Sequence, residues 1–169
     1  MLPLQFSPSV TIALNFALWF MIHYTAGYLG AKLPARLFAR DGGIFRTHPW
    51  EQDGAIYLKL FKIKKWKSKL PDAGNAFGQN ARKHQLTSTD PAYLEQFILE
   101  TRRAEWTHWM QIFPAPVFFL FNDWRIGIFM IVYALCVNLP CMMTQRYNRP
   151  RLQRILNSKR TREGTSPRF

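Results

Sequence analysis

The sequence predicts an all-α integral membrane protein, with about three transmembrane or re-entrant helices and a cytoplasmic interfacial amphipathic helix. Two observations carry that prediction. Apolar and basic residues occupy separate blocks, and Lys and Arg are distributed very unevenly among the segments between the apolar blocks. The chain has 169 residues, with 23 Lys+Arg against 10 Asp+Glu and a formal net charge of +13. Such a balance suggests nucleic acid when the charge is spread over one polar domain. Here 48% of the residues are hydrophobic and stand apart from the cations, which argues against that class.

The first apolar block is residues 10–29 (VTIALNFALWFMIHYTAGYL), without Asp, Glu, Lys or Arg. A helix of about 20 residues is about 30 Å long, which matches the hydrocarbon core of a bilayer. A cleaved signal peptide is disfavoured because residues 1–9 hold no Lys or Arg and the apolar run exceeds a usual h-region. Residues 32–105 form a basic loop that is too aromatic for a plain linker. Within it, residues 51–66 read as a helix on the membrane surface, with Ile56, Leu60 and Ile63 at helical spacing among Lys59, Lys62 and Lys64. Pro71-Asp72-Ala73-Gly74 reads as a turn, and residues 73–90 as polar and irregular.

Asp90-Pro91 is a helix start, an N-cap followed by proline at the first helical position. That helix runs through Thr101 into the second apolar block, residues 106–121 (WTHWMQIFPAPVFFLF). The block is short enough to be re-entrant, and Pro114 and Pro116 would kink it. The third block is residues 126–143 (IGIFMIVYALCVNLPCMM), again uncharged. In the basic tail, residues 144–169, Pro150 is placed to open a final helix over residues 149–159. Three such blocks would leave too little polar chain to cover them in a soluble fold.

Lys and Arg number none in residues 1–9, fourteen in 32–105, one in 122–125 and eight after Met143. Cytoplasmic segments carry the excess of positive charge. The expected arrangement is therefore a multi-pass protein of the cell membrane, with its N-terminus outside and its basic loop and C-terminus cytoplasmic. Cys136 and Cys141 lie five residues apart on one helix, so no disulfide between them is expected, and no zinc spacing occurs.

Three groups of residues are candidates for chemistry. In Glu100-Thr-Arg-Arg-Ala-Glu-Trp-Thr-His-Trp109, Glu105 and His108 are one helical turn apart on a stripe with Leu94, Ile98, Thr101 and Ile112. An ionisable pair on an inward-facing stripe is a functional candidate, with the histidine as general base and the carboxylate orienting it. The competing reading is a helix-end pair that reaches into the headgroup layer. Glu-x-x-His is also half of a di-metal motif, but no second copy exists, so no metal is expected. In residues 62–69, five lysines surround Trp66, and near an anionic surface each is worth about 1 kcal/mol. In Gln145-Arg-Tyr-Asn-Arg-Pro-Arg-Leu152, three arginines follow the last apolar block and suit phosphate or carboxylate. Both basic groups read equally as topology anchors. His23, His48 and His84 read as structural.

The strings KIKKWKSKLPD, ETRRAEWTHW and QRYNRPRL, between two membrane segments, together resemble the glycosyl-4,4'-diaponeurosporenoate acyltransferase family of staphyloxanthin-type carotenoid synthesis. The resemblance covers roughly residues 33–156. It implies a membrane acyltransferase that moves a fatty acyl chain from an activated donor, expected to be acyl-CoA, to a hydroxyl of a membrane-embedded glycolipid. By resemblance that acceptor is a glycosylated C30 carotenoid acid. A different lipid acceptor, or a noncatalytic lipid-binding subunit, are the alternatives.

On this reading His108 is the base and Glu105 orients it or balances its charge. Arg103, Arg146 or Arg149 would hold the oxyanion or carrier phosphates, and Lys64, Lys65, Lys67 and Lys69 the carrier. Trp66, Glu100, Trp109 and Asn148 complete the candidate substrate-binding set. No cofactor is expected beyond the acyl-CoA cosubstrate. The expected partners are a membrane lipid and the acyl donor, without nucleic acid, and homo-oligomerisation stays open.

The charge asymmetry is checked by labelling intact cells with an impermeant thiol reagent, in a background lacking Cys136 and Cys141. Ser68→Cys should stay protected and Asn122→Cys should react. External labelling of Ser68→Cys would rule out the three-crossing arrangement.

Overall fold

A computed structural model describes residues 4–70, 88–162 and 164. The expected turn at residues 71–74, most of the polar stretch 73–90, and His84 lie outside them. The described residues are entirely helical or irregular, without a strand. Four α-helices carry the fold: α1 (Pro8–Lys32), α2 (Ala55–Lys59), α3 (Pro91–Ile112) and α4 (Trp124–Arg162).

Helix α1 starts with Pro8 in its first turn and stops at Leu33, which takes an extended conformation (φ −62°, ψ 137°). Pro34 follows, and a residue before proline is pushed out of the helical region. Helix α3 starts where its sequence signal lies: the Asp90 carboxylate accepts from the backbone N–H of Ala92 (3.1 Å) and Tyr93 (3.3 Å). The proline-containing block does not continue as one helix. It ends α3 at Ile112 and becomes a 3-10 turn, Ala115–Leu120. Pro114 and Pro116 lack the N–H groups that an α-helix would need there.

Helices α1 and α4 are each long and apolar enough to cross a membrane. Only 22% of the most apolar stretch of each is buried inside the protein, which is not how a soluble core helix behaves. Phe16, Phe20, Phe129 and Val132 are among the large apolar side chains left exposed, as expected of surfaces that face hydrocarbon. The 39 residues of α4 extend about 58 Å at 1.5 Å per residue, so its basic half projects well past its apolar half.

Helix α4 differs from expectation in one respect: Pro150 does not open a separate helix, and α4 runs through both Pro140 and Pro150. The missing Pro150 N–H frees the Arg146 carbonyl, and there the loop approaches. A Cβ on Gly54 would lie 3.2 Å from the Tyr147 carbonyl oxygen and 3.5 Å from that of Arg146.

The surface helix expected over residues 51–66 is likewise broken. Gln52, Asp53 and Gly54 take positive φ (48°, 52° and 85°), and so does Lys62 (48°). The segment is therefore a 3-10 turn, Pro49–Gly54, the single turn α2, and two further 3-10 turns, Ile63–Lys65 and Lys67–Lys69. Tyr57 and Ile63 turn inward onto Tyr147 of α4, so the segment packs on the protein through these residues.

The helices pair antiparallel along the chain. Leu94, Phe97 and Ile98 of α3 pack on Leu152 and Leu156 of α4. Arg103 Nη1 donates to the Gly30 (2.8 Å), Ala31 (3.1 Å) and Leu33 (3.2 Å) carbonyls, capping the C-terminus of α1. At the other end Asn15 and Asn122 exchange amide hydrogen bonds (3.0 and 2.9 Å), and Trp19 stacks on Phe118 at 4.7 Å. Because Asn122 is buried in that pair, the exposed Asp123 beside it is the better labelling position.

Gly54 combines positive φ with close backbone approach, so Gly54→Ala should cost roughly 1–3 kcal/mol. Gly42 is extended with nothing near its missing Cβ, so Gly42→Ala should be near neutral. Thermal unfolding of detergent-purified protein distinguishes the two, with Tm falling only for Gly54→Ala.

Candidate functional site

The basic end of the molecule is organised around two buried acids. Glu51, from the 3-10 turn before α2, and Glu105, from α3, are both fully buried. Arg146 lies between them. Its Nε donates to Glu105 Oε1 (2.7 Å), its Nη1 to Glu51 Oε1 (2.6 Å) and its Nη2 to the Ile44 carbonyl (2.5 Å). Arg149, three residues further on, donates Nε to Thr101 Oγ1 (3.1 Å) and Nη1 to the Phe45 carbonyl (2.8 Å), and Nη2 binds Glu105 Oε2. Glu51 also accepts from the His48 backbone N–H (2.9 Å) and the Tyr57 hydroxyl (2.8 Å). Burial, and then the bond to Glu51, raise the Tyr57 pKa above its ordinary value, so the phenol stays neutral. Two carboxylates thus offset two guanidinium groups, with backbone carbonyls taking further donors.

His108 lies one turn beyond Glu105, towards the apolar end. Its Nδ1 is 2.8 Å from Asn138 Oδ1. Asn138 is fully buried in the apolar half of α4, and its Nδ2 donates to the Ala134 carbonyl (2.9 Å). That second bond fixes the amide so that oxygen faces the ring. Nδ1 must then carry the proton, and in the neutral imidazole Nε2 carries the basic lone pair. The buried Trp109 indole N–H, on the next residue, has no hydrogen-bond partner among the described residues.

A second basic group lies beside the network. Lys67 Nζ is 3.3 Å from Asn148 Oδ1 and 5.0 Å from the centre of the Tyr147 ring. The Arg151 guanidinium lies 4.1 Å from the same ring and also bonds the Tyr147 hydroxyl. Trp66 donates its indole N–H to the Phe61 carbonyl (2.8 Å), and Lys64, Lys65 and Lys69 are exposed. Among the described residues no group of three or more His, Cys, Asp or Glu could hold a metal.

The family model for glycosyl-4,4'-diaponeurosporenoate acyltransferase matches residues 41–158. The chain belongs to this family. It is 31% identical over 150 residues to the glycosyl-4,4'-diaponeurosporenoate acyltransferase of Staphylococcus haemolyticus, covering 89% of this chain and 87% of that one. It is 35% identical over 141 residues to that of Staphylococcus aureus strain N315, covering 82% and 83%. No solved structure matches. The protein is thus an acyltransferase of the glycosyl-diaponeurosporenoate class, and the matched region contains both buried acids, His108 and both basic groups.

Within this acyltransferase, the candidate residues fall into different roles. Glu105 does not supply the orienting bond at His108 Nδ1; Asn138 does, and both Glu105 oxygens are held by Arg146 and Arg149. The i, i+3 spacing correctly places acid and imidazole on one face, but two arginines from α4 reach the acid first. Arg103 is committed to the end of α1, and Glu100 pairs with Arg103 (3.4 Å) and Gln96 (3.0 Å). Arg102, outside the candidate set, binds the Phe38 and Ala39 carbonyls (3.0 Å each) and Asp41 (3.4 Å). Glu51, Tyr57 and Asn138 are also outside that set. Asn138 does carry a signal in the sequence, as a lone amide inside an uncharged apolar run. Glu51 carries none, since its partner is 95 residues away.

Removing one member of a buried ion network strands the others. Glu105→Gln should therefore destabilise the fold by about 3–5 kcal/mol. The measurement is Tm and yield of monodisperse protein in detergent. A Glu105→Gln protein with the wild-type Tm and lost activity would instead place the carboxylate in the chemistry.

Proposed function

We propose that the protein transfers a fatty acyl chain from an activated thioester donor, acyl-CoA being the expected one, to a sugar hydroxyl of a membrane-embedded glycolipid. The names of its relatives point to a glycosylated C30 carotenoid acid as acceptor. The observation that carries the mechanism is the Asn138–His108 bond, which presents Nε2 as the basic nitrogen at the junction of the apolar and arginine-rich halves. That depth suits the reaction, because the acceptor and acyl chain are hydrocarbon-soluble while the sugar and carrier are polar.

In this reading His108 Nε2 takes the proton from the sugar hydroxyl as its oxygen attacks the thioester carbonyl. The tetrahedral intermediate then collapses, the C–S bond breaks, and the imidazolium returns the proton to the leaving thiolate. Asn138 positions the ring. The Trp109 N–H is a donor we assign to substrate oxygen, since a buried donor without a partner is otherwise costly. Glu105, Arg146 and Arg149 hold the scaffold. The membrane reading extends to topology: we place the protein in the cell membrane with its N-terminus outside and the arginine-rich end cytoplasmic, supported by the charge counts and by the exposed apolar faces of α1 and α4.

A transfer assay in nanodiscs, with acyl-CoA and the glycosylated carotenoid acid, tests the assignment. His108→Ala should lose about 10²–10⁴ in rate while keeping the wild-type Tm. Asn138→Leu should lose less, with the loss in kcat rather than in donor KM. Near-normal turnover by a folded His108→Ala protein would remove the base assignment.

A further inference from the structure

The cations of the basic end divide into two kinds. Arg102, Arg103, Arg146 and Arg149 are buried or nearly so, and each is matched to carboxylates or backbone carbonyls. Lys64, Lys67 and Arg151 are different. Among the described residues none of the three has a carboxylate partner, while Arg160, Arg154 and Arg102 nearby do. Yet Lys67 and Arg151 are gathered together, and Lys64 lies in the 3-10 turn just before Lys67. Lys67 and Arg151 both lie against the Tyr147 ring, which is itself buried. Burial, then the Arg151 charge, then the Lys64 charge lower the Lys67 pKa from its ordinary value. Like charges held this close on a half-buried floor repel unless an anion sits among them.

The holding devices are specific. Asn148 Oδ1 accepts from Lys67, and the Tyr147 hydroxyl accepts from Arg151, so each cation is steered by a neutral group that leaves its charge uncompensated. Lys64 and Arg151 are exposed, so the cluster is open to the cytoplasmic side of the proposed topology. Lys65 and Lys69 are also exposed and belong to the same lysine run, but it is Lys67 that engages Tyr147 and Asn148.

We propose that Lys67 and Arg151, both seated on Tyr147 and the first steered by Asn148, form with the neighbouring Lys64 a phosphate-binding site distinct from the Glu51–Glu105 network. A planar guanidinium beside two ammonium groups matches a phosphate or pyrophosphate. The phosphate belongs either to the carrier portion of the acyl donor or to a phospholipid headgroup. Only the first source rests on the acyl-transfer reading.

The test uses the full chain in nanodiscs and two probes. Free coenzyme A is titrated by calorimetry into protein in phosphatidylcholine nanodiscs, and phosphatidylglycerol binding is followed by phosphorus NMR in mixed nanodiscs. Lys67→Gln with Arg151→Gln should weaken one probe by about tenfold or more. Lys65→Gln with Lys69→Gln, which removes the same charge from the same run without touching Tyr147 or Asn148, should weaken either probe clearly less than the Lys67/Arg151 variant does. Lys67→Arg should retain most of the binding, and Tm of every variant excludes unfolding as the cause. Loss of coenzyme A binding identifies a donor-phosphate site, and loss of phosphatidylglycerol binding a headgroup site. Equal losses in the two double variants, or none in the Lys67/Arg151 variant, overturn the proposal. Binding is read without turnover, so a failure of the acyl-transfer reading shows separately, as absent catalysis in protein that still discriminates the probes.

Discussion

The fold depends on one constraint: Glu105 is fully buried, so it must be met by cations wherever the chain brings it. Two guanidinium groups on α4 meet it, and one of them, Arg146, also reaches the buried Glu51. A buried ion pair contributes little net stability compared with an apolar replacement, because desolvation offsets most of the attraction. Its effect lies in register. Moving α3 by one residue against α4 would strand an acid and two cations at once. The same arrangement places the 44–57 segment, because Ile44 and Phe45 lend carbonyls and Glu51 a carboxylate to the two arginines.

That register has a consequence at the apolar end. With Glu105 opposite Arg146 and Arg149, the next inward turn of α3 brings His108 opposite Asn138. The two helices run antiparallel, so the residues advance along α3 as they retreat along α4. The arginine network therefore acts on the chemistry through position. It sets where the imidazole lies without touching the reacting atoms in the proposed step. Thr107 adds to the same geometry from the other side of α3, since a Cβ on Gly30 would fall 2.3 Å from its hydroxyl oxygen. The α1 backbone can approach α3 there only because the residue is glycine.

Much of this architecture is legible in the amino-acid sequence. The apolar runs at residues 10–29 and 126–143 lie within α1 and α4, and the Asp90-Pro91 signal marks the start of α3. Local patterns of charge and spacing suffice because each feature is contained within one element. The inward stripe of Leu94, Ile98, Thr101 and Glu105 is readable for the same reason, and all four are buried. Expectations that depend on distant partners do not hold. Pro150 lies inside α4, with the loop at Gly54 packed beside the carbonyl that proline frees. The helix over residues 51–66 breaks because Glu51 and Tyr57 are drawn inward to Arg146 and Tyr147. Both contacts join residues more than ninety positions apart in the chain.

The net charge of +13 looks different once partners are assigned. Counted along the chain, the cations form two blocks that read equally as topology anchors and as ligand sites. Counted in space, the ETRRAE string and the first two arginines of QRYNRPRL are largely spent on each other and on backbone carbonyls. Arg151 ends the same QRYNRPRL run but faces Tyr147 and Lys67, with no acid beside it among the described residues. Neighbouring positions on one helix thus serve opposite ends: Arg149 points into a neutralised interior, and Arg151 leaves an uncompensated charge at the surface. A helical repeat of about 3.6 residues separates two such positions by about 200° around the axis. An arginine-rich string after a membrane helix can therefore combine a structural clamp with an uncompensated surface charge, and the side of the helix each arginine occupies decides which.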